Sequence, residues 1–129
     1  MARPGSRHPT ELELEILKVL WRGGPLPVSR VREALAPFRE LAITSVTTIM
    51  NIMVRKGYLR REKSDGSFKY GPRVSERATA GRMLKDIVDR VFDGSAAVAV
   101  ARLLETGELD EAELKRVRAL LRTHEGGRP

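Results

Sequence analysis

The stretch AITSVTTIMNIMVRKGYL, residues 42–59, holds the side chains whose types and spacing suit chemistry with a partner. Read as a helix at about 100° per residue, it puts Thr44, Thr48, Asn51 and Arg55 on one stripe, flanked by Ser45, Thr47 and Ile52. Val46, Ile49, Met50, Met53 and Val54 fall on the opposite side. A helix face that only meets solvent usually carries Glu/Lys pairs, which add helix stability and solubility. This face has none. Short hydroxyls, one amide and one guanidinium can hydrogen-bond base edges and phosphates, and an apolar side chain can meet a thymine methyl. A partly buried helix against a protein partner is the other reading of the same pattern. Thr44 is the expected N-cap, and Gly57 the expected stop after Lys56.

Composition narrows the classes. With 129 residues the chain can bury one core, and 41% apolar with 32% charged residues describes a soluble globular protein. No apolar run approaches the roughly 20 residues of a membrane span, and no signal-peptide core opens the chain, so a cytoplasmic protein without a membrane partner is expected. Cysteine is absent, which excludes disulfides, thiolate metal sites and Cys nucleophiles. His8 and His124 have no partner at metal-ligand spacing. There is no phosphate-cradling Gly loop and no carboxylate cluster, so catalytic residues, bound metal and cofactors are not expected. The net charge of +7 is uneven: residues 1–74 hold 14 Lys and Arg against 7 Asp and Glu, whereas residues 75–129 hold 10 of each. A polyanion partner for the first part, and a different task for the second, follow from that asymmetry.

The elements that must position the stripe can be read in order. Residues 1–9 form a loose basic arm. Thr10 and Glu13 make a capping box for a first helix with Leu12, Ile16, Val19 and Leu20 inward, ended near Arg22 by Gly23-Gly24-Pro25. Leu26-Pro27-Val28 is an extended link. Val28 to Ala36 is a second helix, stopped at Pro37. After the third helix, Tyr58–Lys63 and Phe68–Val74 alternate around Ser64-Asp65-Gly66-Ser67, a strong hairpin signal. Seven basic residues against two acidic ones lie between Arg55 and Arg73. Three helices followed by a basic hairpin make a winged helix-turn-helix, with the hairpin as a wing along the phosphate backbone.

Beyond residue 74 the character changes. Ser75 is expected to cap a helix with Ala80, Leu84, Ile87, Val88 and Val91 on one face, stopped at Asp93-Gly94. Ser95 opens a second, and eight of the ten residues from Ala96 to Glu105 are apolar. A helix apolar nearly all round needs cover on all sides, and a second subunit is the natural source in so small a chain. Asp110 and Glu113 form a capping box for a last helix to about Thr123, with Leu114, Val117, Leu120 and Leu121 inward. Completing the monomer's own core is the other reading of these helices. Dimerisation is assigned to Ile87, Val91, Val98, Val100, Leu103, Leu104, Leu114, Val117, Leu120 and Leu121.

Taken whole, the chain resembles the penicillinase-repressor family of bacterial winged-helix regulators, the BlaI/MecI/CopY group, over roughly residues 9–122. The matching stretches are TELELEILKVLW with GGP after it, ITSVTTIMNIMVRKGYL, YGPRVS, VFDGSAAVAVARLLE and LDEAELKRVRALL. The resemblance implies a homodimer that binds a palindromic double-stranded DNA operator and represses transcription. By position, Thr44, Ser45, Thr48, Asn51 and Arg55 take the recognition-helix role, joined from the helix reading by Thr47 and Ile52. Arg60, Arg61, Lys63 and Lys69 take the wing role. Gly66-Ser67-Phe68 stands where family wings often have Gly-Arg-Ala, and Pro27 where a hydroxyl usually caps the second helix. Without Cys, thiolate copper sensing is ruled out. Members relieved by a regulatory protease are cut at an Asn-Phe bond; the corresponding pair here is Arg102-Leu103, inside the expected cleavage region Ala96–Glu105.

The expectation is thus a mainly α protein: arm 1–9, winged helix-turn-helix 10–74, helical dimerisation region 75–123 and flexible tail 124–129. It is expected to act as a non-enzymatic repressor. A protein-binding winged-helix scaffold, with an incidental basic wing, is the alternative; it would show no steep salt dependence on DNA.

Overall fold

The computed structural model describes residues 8–126, so most of the expected arm lies outside the described residues. Six helices and one hairpin follow in order: α1 Glu11–Gly23, α2 Val28–Leu35, α3 Ile43–Lys56, β1 Leu59–Ser64, β2 Ser67–Pro72, α4 Glu76–Val91, α5 Ala96–Glu105 and α6 Glu111–Gly126. They divide into two compact units, residues 1–83 and 84–129. The division falls within α4, nine residues past the boundary expected from composition.

In the first unit, α1, α2 and α3 surround a core of Ile16, Leu17, Leu20, Val31, Leu35, Val46, Met50 and Met53, closed by Tyr58, Leu59 and Tyr70. Helical spacing gives each helix one apolar face for that core, because its buried positions recur every three or four residues. The capping box of α1 forms as expected: the Glu13 amide donates to Thr10 Oγ1 (3.2 Å) and the Thr10 amide to Glu13 Oε1 (2.9 Å). Gly57, at φ 88°, ends α3 in the left-handed region. The Tyr58 amide reaches back to the Met53 carbonyl and the Gly57 amide to that of Val54, which turns the chain sharply into the hairpin.

β1 and β2 pair antiparallel, Leu59 opposite Pro72 and Ser64 opposite Ser67. Asp65 and Gly66 both have positive φ, 52° and 81°, the two-residue turn whose twist suits a hairpin. The extended link before α2 joins this sheet, since Leu26 and Tyr70 exchange both backbone hydrogen bonds. Trp21 Nε1 donates to the Val74 carbonyl (2.9 Å), tying the end of α1 to the hairpin's exit.

In the second unit the Ser95 and Asp110 caps form as expected, on the amides of Val98 and Glu113. α6 runs on to Gly126, three residues past the end expected at Thr123. Neither α5 nor α6 contains a buried residue. Leu120 and Leu121, expected inward, are 70% and 55% exposed, because nothing among the described residues covers them. No described helix is long and apolar enough to cross a membrane.

Candidate nucleic-acid interface

The face of α3 away from the core is open to solvent. Its buried side is Val46, Met50 and Met53, with Ile49 and Val54 half-buried, which leaves Thr44, Ser45, Thr48 and Arg55 exposed on the other. Among the described residues these four make no side-chain hydrogen bond, so their polar atoms remain available. The helix begins at Ile43 with Ala42 as N-cap and no side-chain cap. Thr44 therefore is not the cap. The Val46 amide already donates to the Ala42 carbonyl (3.1 Å), which places Thr44 inside the first turn, its hydroxyl released to the surface. Thr47 donates its hydroxyl to the Ile43 carbonyl (2.8 Å), leaving only its lone pairs for a partner. Ile52 is half-buried at the edge of the stripe.

Asn51 sits differently from its neighbours. Its Oδ1 accepts from the Tyr70 hydroxyl (2.9 Å) and from Arg61 Nη1 (3.3 Å), both on the hairpin. An amide oxygen has two lone pairs, and both are engaged. Bidentate pairing with adenine, the obvious task for an exposed Asn on such a helix, needs that oxygen as an acceptor.

The wing's basic residues separate by face. Arg60 turns back onto its own hairpin, donating to the Pro72 carbonyl (2.9 Å) and pairing with Glu62 (3.5 Å). Gly71 makes room for it: a β-carbon there would stand 3.0 Å from the guanidinium. Arg61 stacks over Phe68, its carbon 4.4 Å from the ring centre, while it bonds Asn51. Lys63 is exposed and lies opposite Phe68, on the face of the hairpin that also bears Arg61 and Tyr70. Lys69 lies opposite Glu62 on the other face. Lys63 and Lys69 thus flank one turn but point to opposite sides, as a two-residue turn with period-2 alternation requires.

Under α3, Glu13 is almost wholly buried and its Oε2 accepts from Lys56 Nζ at 2.8 Å. The pair joins the first turn of α1 to the last turn of α3. Tyr58, packed beside it, has its phenol pKa pushed up by burial and by the Glu13 carboxylate, against a smaller opposing effect of Arg82. Composition and spacing gave no sign of these contacts. Only the alternation Phe68, Tyr70, with Arg61 as cross-strand partner, could have brought Tyr70 into view.

The second unit presents apolar surface instead. An open groove of about 430 Å³ is lined by Leu84, Val88 and Phe92 together with Ala96, Ala99, Val100 and Leu103. Ile87, Val91, Val98, Val100, Leu103 and Leu104 are all exposed, between 39% and 65%, and Leu114 and Val117 are half-buried. Arg102 pairs with Glu105 on the same helix (3.2 Å), so the Arg102-Leu103 bond lies within regular helix. Among the described residues no group of His, Asp and Glu could hold a metal ion.

Residues 9–123 match the model of the family described as penicillinase repressor. The transcriptional regulator BlaI of Mycobacterium tuberculosis is 31% identical over 122 residues, 92% of this chain and 88% of that protein. The penicillinase repressor of Bacillus licheniformis is 23% identical, over 89% of this chain and 90% of its own. Among solved structures, the B. licheniformis BlaI monomeric form in complex with the blaP half-operator aligns with 52% of this chain and 82% of its own, at 25% identity and a TM-score of 0.46.

Proposed function

Since the chain belongs to the penicillinase repressor family, we propose that it is a transcriptional repressor that binds double-stranded operator DNA as a homodimer in the cytoplasm. The observation that carries this is the bare face of α3: Thr44, Ser45, Thr48 and Arg55 exposed, without an acidic residue or an internal partner, next to a basic wing. In this reading α3 enters the major groove, where hydroxyls meet base edges and Ile52 a thymine methyl, while Arg55 near the helix end holds phosphate. Lys63 neutralises a backbone phosphate and reads no sequence.

The dimer places two such units on one operator, with half-sites about 34–36 Å apart or at a multiple of that. Its contact is proposed through α4, α5 and α6, whose exposed Leu, Ile and Val side chains find no cover among the described residues. Fully burying one such side chain is worth about 1.5–3 kcal/mol, so covering the half-exposed set yields on the order of 10 kcal/mol per subunit. The two subunits together gain on the order of 20 kcal/mol, more than the roughly 4–15 kcal/mol that association costs. Proteolysis within α5 would end repression by removing this contact, and the helix would have to unwind around Arg102-Leu103 to enter a protease.

The test is binding to the DNA upstream of the chain's own gene, footprinted and then titrated against salt. A steep fall of affinity with salt is expected. Lys63→Ala should flatten the slope of log K against log salt by about one unit per subunit, with the preferred sequence kept, and Lys69→Ala should flatten it less. Binding without salt dependence would favour the protein-binding scaffold and overturn this reading.

A further inference from the structure

The wing of a two-stranded hairpin is intrinsically loose, since an isolated pair of strands is marginally stable. Here its base is held by Leu26, which pairs with Tyr70 through both backbone bonds. Leu59 and Tyr70 pack its base into the core with α3, and a single polar atom on α3 ties both strands to the helix. Asn51 Oδ1, on α3, receives the Tyr70 hydroxyl from β2 and Arg61 Nη1 from β1. Arg61 and Tyr70 are directly opposite in the register, so the two strands grip the same oxygen from adjacent positions. Arg61 settles which end of the amide faces the wing, because a guanidinium only donates. The Phe68 ring beneath the guanidinium limits where Arg61 can swing.

We infer that Asn51 and Tyr70 are positioning residues, which fix the wing against the recognition helix so that Lys63 meets phosphate while α3 lies in the groove. This rests on the DNA-binding reading above. Tyr70 is 2% exposed and cannot touch DNA, yet it acts on binding through the wing. Asn51 serves the same node with its oxygen, which leaves only its amide hydrogens for a base or phosphate acceptor. A sequence preference altered by Asn51→Ala would then come from a displaced wing as well as from any lost base contact.

The buried phenol allows a test that separates positioning from simple stability. Tyr70→Phe removes one oxygen and keeps the ring. Its affinity for the footprinted upstream duplex should fall about fivefold, the worth of one neutral hydrogen bond. The telling readout is salt. Although no charge is lost, the slope of log K against log salt should flatten as it does in Lys63→Ala, because the same phosphate contact is lost. In the double variant Tyr70→Phe should then cost nothing further. A protein merely destabilised by Tyr70→Phe would bind with a smaller active fraction and an unchanged slope. An unchanged affinity, an unchanged slope, or additive losses with Lys63→Ala would each overturn the inference. If Tyr70→Phe does not fold, Asn51→Ala is measured instead and its salt slope decides: a lost base contact of a neutral amide leaves the slope unchanged, whereas a displaced wing flattens it as Lys63→Ala does. Failure of the wild-type chain to bind its upstream DNA would instead sink the DNA-binding reading itself.

Discussion

Single residues divide into those whose role is local and those whose role depends on the fold. Thr10, Ser95 and Gly57 act within a turn or two of themselves, so their tasks could be read from neighbouring letters and appear in the structure as expected. Asn51 could not be read that way: its partners lie 10 and 19 residues on, and only the angle between hairpin and helix brings them to it. Thr44 shows a subtler limit. A hydroxyl is the better cap in isolation, but packing of Val46 and Met50 fixes where the helix enters the core, and the entry point then falls on Ala42. Tyr58 offers a prediction at this scale. Its folded pKa is raised above the ordinary 10.0, so the neutral phenol is the form the fold prefers. That stability is fully present below pH 10 and is lost as pH rises towards and through the folded pKa, where the unfolded chain has already released the proton. Thermal melts of Tyr58→Phe should therefore fall less steeply above pH 10 than those of the wild type.

At the scale of elements, helices were legible because their apolar positions repeat every three or four residues, and the hairpin because Asp65-Gly66 sits between two alternating runs. The faces of the hairpin were equally determined: a two-residue turn pairs Lys63 with Phe68 and Glu62 with Lys69, which separates the two lysines. How α1 meets α3 was not legible, because Glu13 and Lys56 lie 43 residues apart. Glu13 is buried and Lys56 partly so, and removal of the lysine strands a carboxylate that keeps only the Thr10 amide. Lys56→Met should destabilise the chain by about 2 kcal/mol, a value reduced from that of a fully buried pair for the exposure of Lys56. Glu13→Gln, which keeps the cap and buries no charge, should cost less. Denaturant midpoints of the two variants check the order.

For the whole molecule, charge is uneven, with the basic excess in residues 1–74, while the two compact units divide at 83/84 and the second carries exposed apolar side chains. A division inside α4 is not legible in composition, because the helix runs without a break in its pattern from Glu76 to Val91. If α5 and α6 hold the proposed dimer together, a chain ending at Ala101 should sediment as a monomer. It should bind the upstream duplex at least about tenfold more weakly, because the second half-site contact is no longer intramolecular. A truncated chain that stays dimeric and binds as before would place the contact elsewhere.

Neither α5 nor α6 has a single buried residue, and if the proposed dimer is what covers them, the protein depends on its own abundance. Helices of 10 and 16 residues are marginal in water without packing, and in a lone chain theirs is partial, with Leu114 and Val117 only half-buried. In the proposed dimer, by mass action, their order would grow with the number of chains present. Melting of the second unit should move to higher temperature as the protein is concentrated, while the winged helix, with its own core, melts at a fixed temperature. In a cell, newly made chains at low copy number would be the ones open to proteolytic clearance, and a threshold in repressor number would follow from packing alone.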